Sequence, residues 1–365
     1  MAFVEERDLP LLISLQEKPL APASRLAKTV GLSTPTVISR LRTLKAERSY
    51  YSVIADLKPE ALEMEIIDVI LEINNIDNVK YIEKHICYNH PFTLFRIRCF
   101  GNLNGLYLQF RTPKGSKELL KDLFRELQQR KIIDDFFIAT VISQAKSIYT
   151  KSNLTNWEPK MMRWSFDWDN WINKYEKMKN EKRLMKTEEQ SCLEKIDQLD
   201  MALLEELTMN ARRKNTEIME SLNLDKHEVG VPQRVSRKIK FLQKKVIQQY
   251  RVFLRWETFE IYNSFLIFSE CDEQTANNLQ NHLAKMPIPF ESVLKLTEEG
   301  FMWYLRCPAS HFSEISDFVW SISDKAHFYF LDYKTSEFYG IWKGAYDAEN
   351  RQWKIELMRK EKLLA

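Results

Sequence analysis

Leu26-Ala27-Lys28-Thr29-Val30-Gly31-Leu32-Ser33-Thr34-Pro35-Thr36-Val37-Ile38-Ser39-Arg40-Leu41-Arg42-Thr43-Leu44 reads as the end of one helix, a turn and a second helix. Ser24–Val30 is the first helix and Gly31-Leu32-Ser33 the turn. Thr34-Pro35 opens the second helix, because proline's missing N–H costs nothing in a first turn and Ser33 or Thr34 can accept from the free amides there. Val37, Leu41 and Leu44 share one apolar face. The pattern returns: Val235, Ile239 and Leu242 each stand 198 residues after their counterparts. A repeat of that length implies two whole modules rather than a solenoid.

The chain has 365 residues, 44% hydrophobic and 29% charged, enough to bury more than one core. It opens Met1-Ala2-Phe3-Val4-Glu5-Glu6-Arg7, with no basic region before an apolar stretch, and no segment approaches the roughly 20 apolar residues that span a bilayer. A cytoplasmic protein without membrane contact is expected. Cys87, Cys99, Cys192, Cys271 and Cys307 are scattered and never spaced Cys-x-x-Cys, so free thiols and no structural metal are expected. The net charge is only +3, but Gln233–Arg255 holds eight basic residues and no acidic one.

Around the repeated motif the sequence predicts an α+β chain. Asp8–Leu15 is an apolar helix that can pack behind the motif, and Tyr50–Ala55 a strand like the wing that follows such helix pairs. Strand Ile66–Ile73, helix Val79–Cys87, strands Thr93–Phe100 and Leu106–Arg111, helix Ser116–Gln129 and strand Phe136–Ile142 then give the order βαββαβ of a ferredoxin-like sheet. The order recurs in Tyr262–Phe268, Glu273–Lys285, Phe290–Leu296, Phe301–Cys307, His311–Ser323 and Phe328–Tyr333. The expected fold is therefore two winged helix-turn-helix domains, each followed by a βαββαβ ferredoxin-like domain, duplicated in one chain. The segments are 1–60, 61–150, a tryptophan-rich connector 151–195, 196–256, 257–345 and a tail 346–365. In the connector, Trp164, Trp168, Trp171 and Tyr175 fall at helical spacing, a face expected to pack on a sheet or on the other repeat. Tyr175–Lys195 is expected to be a solvated helix.

Leu199-Asp200-Met201-Ala202-Leu203-Leu204-Glu205-Glu206-Leu207, Asn210-Ala211-Arg212, Ile218, Leu222 and Val246-Ile247-Gln248-Gln249-Tyr250 resemble the N-terminal region of the Lrp/AsnC transcription regulators, as do Leu26-Ala27, Gly31-Leu32-Ser33, Val37, Arg40-Leu41 and Leu44. The resemblance implies a sequence-specific DNA-binding regulator acting as an intramolecular pseudo-dimer, not an enzyme, with double-stranded DNA as partner, no cofactor, and room for a small-molecule effector and a homodimer. It places effector contacts near Gly101 and Asn104. The aspartate that amino-acid-sensing members carry at that turn is missing here, as it is from Thr297-Glu298-Glu299-Gly300 in the second copy.

The reading face of the first motif would be Thr34, Thr36, Ser39, Arg40, Arg42 and Thr43, since arginine suits guanine edges and the hydroxyls suit phosphates or a thymine methyl. In the second, Arg234, Arg237, Lys238, Lys240, Lys244 and Lys245 suit phosphates. The first copy is thus expected to specify and the second to anchor. Two other readings stand beside this one. His85-Ile86-Cys87-Tyr88-Asn89-His90-Pro91-Phe92 resembles a loop of the siroheme decarboxylases, which implies His85 and His90 as acid–base groups and Arg96 or Arg98 as carboxylate partners of a tetrapyrrole. A metal held by His85, Cys87 and His90 lacks a fourth ligand at usual spacing. Alternatively both heads serve only as protein-binding scaffolds. Glycine-rich phosphate loops and nucleophile elbows are absent.

Overall fold

A computed structural model describes residues 4–46 and 50–364, with Tyr51 described by its backbone alone; the Met1-Ala2-Phe3 start lies outside the described residues. The first head consists of α1 (Leu9–Glu17), α2 (Ala23–Val30) and α3 (Thr34–Ala46). Leu11, Leu12, Leu15, Leu26, Val37, Leu41 and Leu44 turn inward. Gly31 ends α2 at φ 68°, where a Cβ would be strained. Ser33 Oγ accepts from the Thr36 amide at 3.3 Å.

Then follow β1 (Tyr50–Leu57), β2 (Met64–Glu72), α4 (Ile76–Tyr81), β3 (Thr93–Gly101), β4 (Gly105–Pro113), α5 (Lys117–Gln129) and β5 (Asp135–Ile138). The helix expected at Val79–Cys87 starts earlier, because Asn75 caps it through the Asp77 amide, and it widens into π turns over Ile82–Cys87. After β5 come β6 (Ile148–Thr150), a hairpin of β7 (Trp157–Glu158) and β8 (Arg163–Trp164), and α6 (Trp168–Glu176). Trp164 therefore lies outside the helix expected to carry it, since Asp167 caps α6 only from Trp168 onward.

The second half runs α7 (Gln198–Asn210), α8 (Asn215–Ser221), α9 (Val231–Lys245), β9 (Ile247–Leu254), β10 (Asn263–Glu270), α10 (Glu273–Lys285), β11 (Glu291–Thr297), β12 (Gly300–Arg306), α11 (Phe312–Ile322) and β13 (Lys325–Phe338). A hairpin of β14 (Tyr346–Asp347) and β15 (Gln352–Trp353), then α12 (Lys360–Leu363), ends the described chain. No described helix is long and apolar enough to cross a membrane.

The solvated helix expected over Tyr175–Lys195 does not form. Lys182–Lys186 runs extended because the buried amides of Gln280 and Asn281 serve its backbone: Leu184 N donates to Gln280 Oε1 at 2.7 Å, and Asn281 Nδ2 to the Lys182 carbonyl at 2.8 Å. Such pairings replace the helical ladder in a segment with little apolar face to drive helix packing.

Nine strands join in one antiparallel sheet ordered β5-β2-β4-β3-β13-β10-β12-β11-β6. The sheet curls until its ends meet. Past β5, Ile142 N donates to the Leu296 carbonyl at 2.9 Å and Glu298 N to the Thr140 carbonyl at 3.1 Å, so residues 139–142 run along β11 instead of extending β5 to Ile142. Leu120, Leu123, Phe124, Leu279, Leu283, Ile315 and Phe318 from the helices belong to the main core, whereas Phe95, Ile97, Tyr107, Leu266, Met302, Tyr304 and Leu331 form a second cluster. The strands following α3 and α9 do not form separate wings: β1 and β9 pair with each other, Val53 opposite Val252. Two single strands, one from each head, thus make one two-stranded ribbon.

Candidate active site

Between the β1·β9 ribbon and the inward face of the curled sheet lies a cavity of about 560 Å³. Each side chain reaches it by strand alternation. Tyr107, Gln109 and Arg111 are alternate residues of β4, and Met302, Tyr304 and Arg306 are alternate residues of β12.

Of the carboxylates in and behind the cavity wall, Glu257 keeps Oε2 buried without a hydrogen-bond partner among the described residues, while Asp56, Glu291 and Asp68 are engaged. Asp56 and Glu291 share Arg251, whose Nε lies 3.1 Å from Asp56 Oδ2 and Nη1 2.9 Å from Glu291 Oε1. Asp68 accepts from Lys295 Nζ at 2.5 Å, Tyr107 Oη at 2.7 Å and Gln109 Nε2 at 2.8 Å. Burial, reinforced by the Asp68 charge, pushes the Tyr107 hydroxyl well above its ordinary range, so it stays protonated.

Two buried arginines make no salt bridge among the described residues, although Asp56 lies within electrostatic reach of Arg111 and Glu291, opposite Arg306 across the strands, within reach of Arg306. Arg111 is 7% exposed and makes no side-chain hydrogen bond or ion pair among the described residues. Burial pushes its guanidinium down to about 10, so at neutral pH it is a charged and poorly solvated group. Arg306 is 4% exposed; its Nε donates to Tyr304 Oη at 2.8 Å, while Nη1 is buried without a partner. Its guanidinium carbon lies 5.5–5.8 Å from the ring centres of Trp256, Tyr304 and Tyr333. Since Asp56 and Glu291 are themselves bound by Arg251, each buried cation is only partly compensated, and an anionic ligand supplies the acceptors each lacks.

None of the expected tetrapyrrole groups lines this cavity. His90 packs against Phe110 with ring centres 4.8 Å apart, and burial pushes it down to about 3, so it stays neutral. Exposed His85 stacks on Tyr81, ring centres 4.9 Å apart. Arg96 and Arg98, outside the cavity lining, are held by Glu83, which also lies outside it, and Arg96 is held as well by Glu337, which lines the cavity. His85, Cys87 and His90 form no metal cluster among the described residues.

Of the expected DNA-facing residues, Ser39, Arg42 and Thr43 are exposed, Thr34 and Thr36 half-buried. Arg40 turns back to donate to the Arg7 carbonyl at 3.0 Å and Asp8 Oδ1 at 3.2 Å. Lys238 is held at 2.8 Å by both Asp197 and Asp200. Arg234, Arg237, Lys240, Lys244 and Lys245 are exposed, and none makes an ion pair among the described residues. Gly101 and Asn104 lie in the exposed β3–β4 turn, outside the cavity lining.

Sequence reasoning missed Arg111 and Arg306. A signal was present: each stands six residues after the glycine that opens its strand, Gly105 and Gly300, and each terminates an apolar run. That pattern marks a strand carrying a charge to a buried end, but it does not say that two such ends face one cavity.

No protein-family model and no curated protein matches the sequence. Among solved structures, the siroheme decarboxylase NirDL is similar over 90% of this chain and 91% of its own, at 11% identity and a TM-score of 0.51. The same enzyme in complex with an iron-uroporphyrin III analogue is similar over 97% and 99%, at 11% identity and a TM-score of 0.52. AsnC from E. coli covers only 42% of this chain, with a TM-score of 0.34. The expectation that the chain is not an enzyme is corrected: two solved structures similar to it nearly end to end are of a decarboxylase, and they share its mixed α+β architecture.

Proposed function

We propose that this chain is an internally duplicated Lrp/AsnC-type unit, two winged helix-turn-helix heads on two ferredoxin-like sheets, that works as a siroheme-decarboxylase-like enzyme. Its substrate would be a tetrapyrrole bearing several carboxylates, bound between the ribbon and the sheet. The carrying observation is the pair Arg111 and Arg306, buried and without a salt bridge among the described residues, beside a cavity of about 560 Å³. That volume is within the range typical of small-molecule sites. The guanidiniums would hold carboxylates bidentately, and Tyr107, Tyr304 and Trp256 supply aromatic surface for a flat macrocycle. Desolvation in such a site favours loss of CO2, because a carboxylate stripped of water is less stabilised than the neutral gas it becomes.

Titration with iron-uroporphyrin III should shift its Soret band with saturation near one ligand per chain. Incubation with siroheme should give products lighter by CO2 in mass spectrometry. Absence of both results would remove this reading.

A second reading draws on a separate observation, the five exposed basic residues Arg234, Arg237, Lys240, Lys244 and Lys245 of α9. They suit a duplex backbone, the anchoring role of the regulator reading. If that reading holds, Lys244→Gln with Lys245→Gln lowers the slope of log affinity against log salt by about 0.9 per lost phosphate contact. An unchanged slope removes the pair from the interface.

A further inference from the structure

The two halves build the cavity from corresponding strands, yet they do not furnish it alike. In the first half Cys99 pairs with Gly105, and two residues before Cys99 stands Ile97. In the second half Thr297 pairs with Gly300, and two residues before Thr297 stands Lys295. Likewise Asp68 lies four residues before Glu72, which pairs with Gly105, and Leu266 lies four residues before Glu270, which pairs with Gly300. The positions filled by Lys295 and Asp68 on one side are thus filled by Ile97 and Leu266 on the other, both 0% exposed. By contrast, the two sides match in Arg111 and Arg306.

The fold evidently accepts an apolar pair at this position. A buried ion pair is often no more stabilising than well-packed apolar residues, so stability alone does not explain Lys295 and Asp68. Lys295 is 5% exposed, lines the cavity, and points an ammonium held at 2.5 Å by Asp68. Lys151 and Lys334 also line the cavity but are exposed, so Lys295 is its buried lysine; the arginines beside it do not release protons near neutral pH.

We infer that the cavity has two anchors but a single reacting subsite, in which Lys295 is the proton donor and Asp68 its positioning residue. This inference rests on the decarboxylase reading. The bond between the side-chain carbon and its carboxylate breaks, CO2 leaves, and the electron pair stays on the carbon, delocalised into the macrocycle. The Lys295 ammonium gives that carbon a proton, and water restores the proton to the neutral amine held beside Asp68. The net change is R–CH2–COO⁻ plus H⁺ to R–CH3 plus CO2, with no oxidant or reductant. A substrate with equivalent carboxylates on two edges therefore loses one CO2 per binding event, then leaves or turns before losing the next.

The test uses the full chain and two readouts. Lys295→Met with Asp68→Leu copies the neutral side of the cavity and avoids stranding a buried charge. It should retain the Soret titration with iron-uroporphyrin III while CO2 release from siroheme falls ~100-fold or more, as loss of a general acid does. With wild-type enzyme in excess over siroheme, a chase of unlabelled iron-uroporphyrin III should trap product lighter by one CO2. Rates within threefold of wild type in the double variant, or double loss insensitive to the chase, would overturn the single-subsite proposal. Wild-type protein that leaves the Soret band unmoved overturns the tetrapyrrole reading itself, a result separable from the first two.

Discussion

Lys238 stands 198 residues after Arg40, and both do the same work: each ties the motif's last helix to the start of the first helix of its own head. Arg40 Nη1 lies 3.2 Å from Asp8, the N-cap of α1, and Lys238 Nζ lies 2.8 Å from Asp197 and Asp200, the capping box of α7. Residues that read as DNA-facing from spacing alone are struts within their heads.

The struts should differ in weight. Asp200 is 1% exposed, and without Lys238 its buried charge loses a partner; Asp8 is 14% exposed and can turn to water. Lys238→Met is expected to cost about 1–3 kcal/mol in denaturant unfolding, and Arg40→Met less than about 1 kcal/mol. Equal losses would remove the distinction.

The short hairpins exchange places between the halves. Trp164, at the end of the first half, donates its indole N–H to the Phe259 carbonyl of the second at 2.8 Å; Trp353, at the end of the second, donates to the Leu62 carbonyl of the first at 2.8 Å. Trp353→Ala should therefore destabilise by about 3–5 kcal/mol. Its loss of hydrogen-exchange protection should appear around Leu62, nearly three hundred residues earlier in the chain. Loss confined to residues near the hairpin would show that the exchange carries no stability.

Arg111 should cost stability in the free protein and contribute affinity. Arg111→Met removes a desolvated cation, so its thermal midpoint is expected to equal or exceed that of wild type. Its affinity for iron-uroporphyrin III should fall about 10–100-fold, the worth of roughly 1.5–3 kcal/mol in charged hydrogen bonds. A variant with weakened folding and unchanged binding would place Arg111 in the scaffold.

Acid should unfold the chain partly through His90. Its folded value, pushed by burial from 6.5 to about 3, means that between those pH values the unfolded chain takes up a proton the folded one refuses. The stability this histidine confers is complete above pH 6.5 and is lost as pH falls toward 3, at up to about 1.4 kcal/mol per unit. His282 and His311, also lowered by burial, act with the same sign. His90→Asn offers the Phe92 amide another acceptor but does not titrate, so stability measured from pH 6.5 to 4 should fall less steeply. Parallel curves would exclude His90 as a contributor.

Much of the architecture was legible because it is local. The 3.6-residue spacing of Val37, Leu41 and Leu44, and of Val235, Ile239 and Leu242, fixes two helices, and Asn75, Asp167 and Asp272 cap others from side chains within their own turns. The α/β order of each half also follows from periodicity. The site was legible only in fragments. Arg96 and His90 looked chemical but are spent on Glu83 and on a buried loop, whereas Arg111 and Arg306 looked like ordinary strand ends.

The sequence by itself determined the main helices and strands of both halves and their order, since hydrophobic period and capping act within a few residues. Tertiary structure alone decided that β1 would pair with β9, that the sheet would curl until residues 139–142 met β11, and that Asp68 would meet Lys295. Those contacts join residues more than a hundred and fifty positions apart: Val53 and Val252, Ile142 and Leu296, Asp68 and Lys295. They depend on sheet curvature and on which backbone edges remain unpaired, quantities that no local window of residues contains.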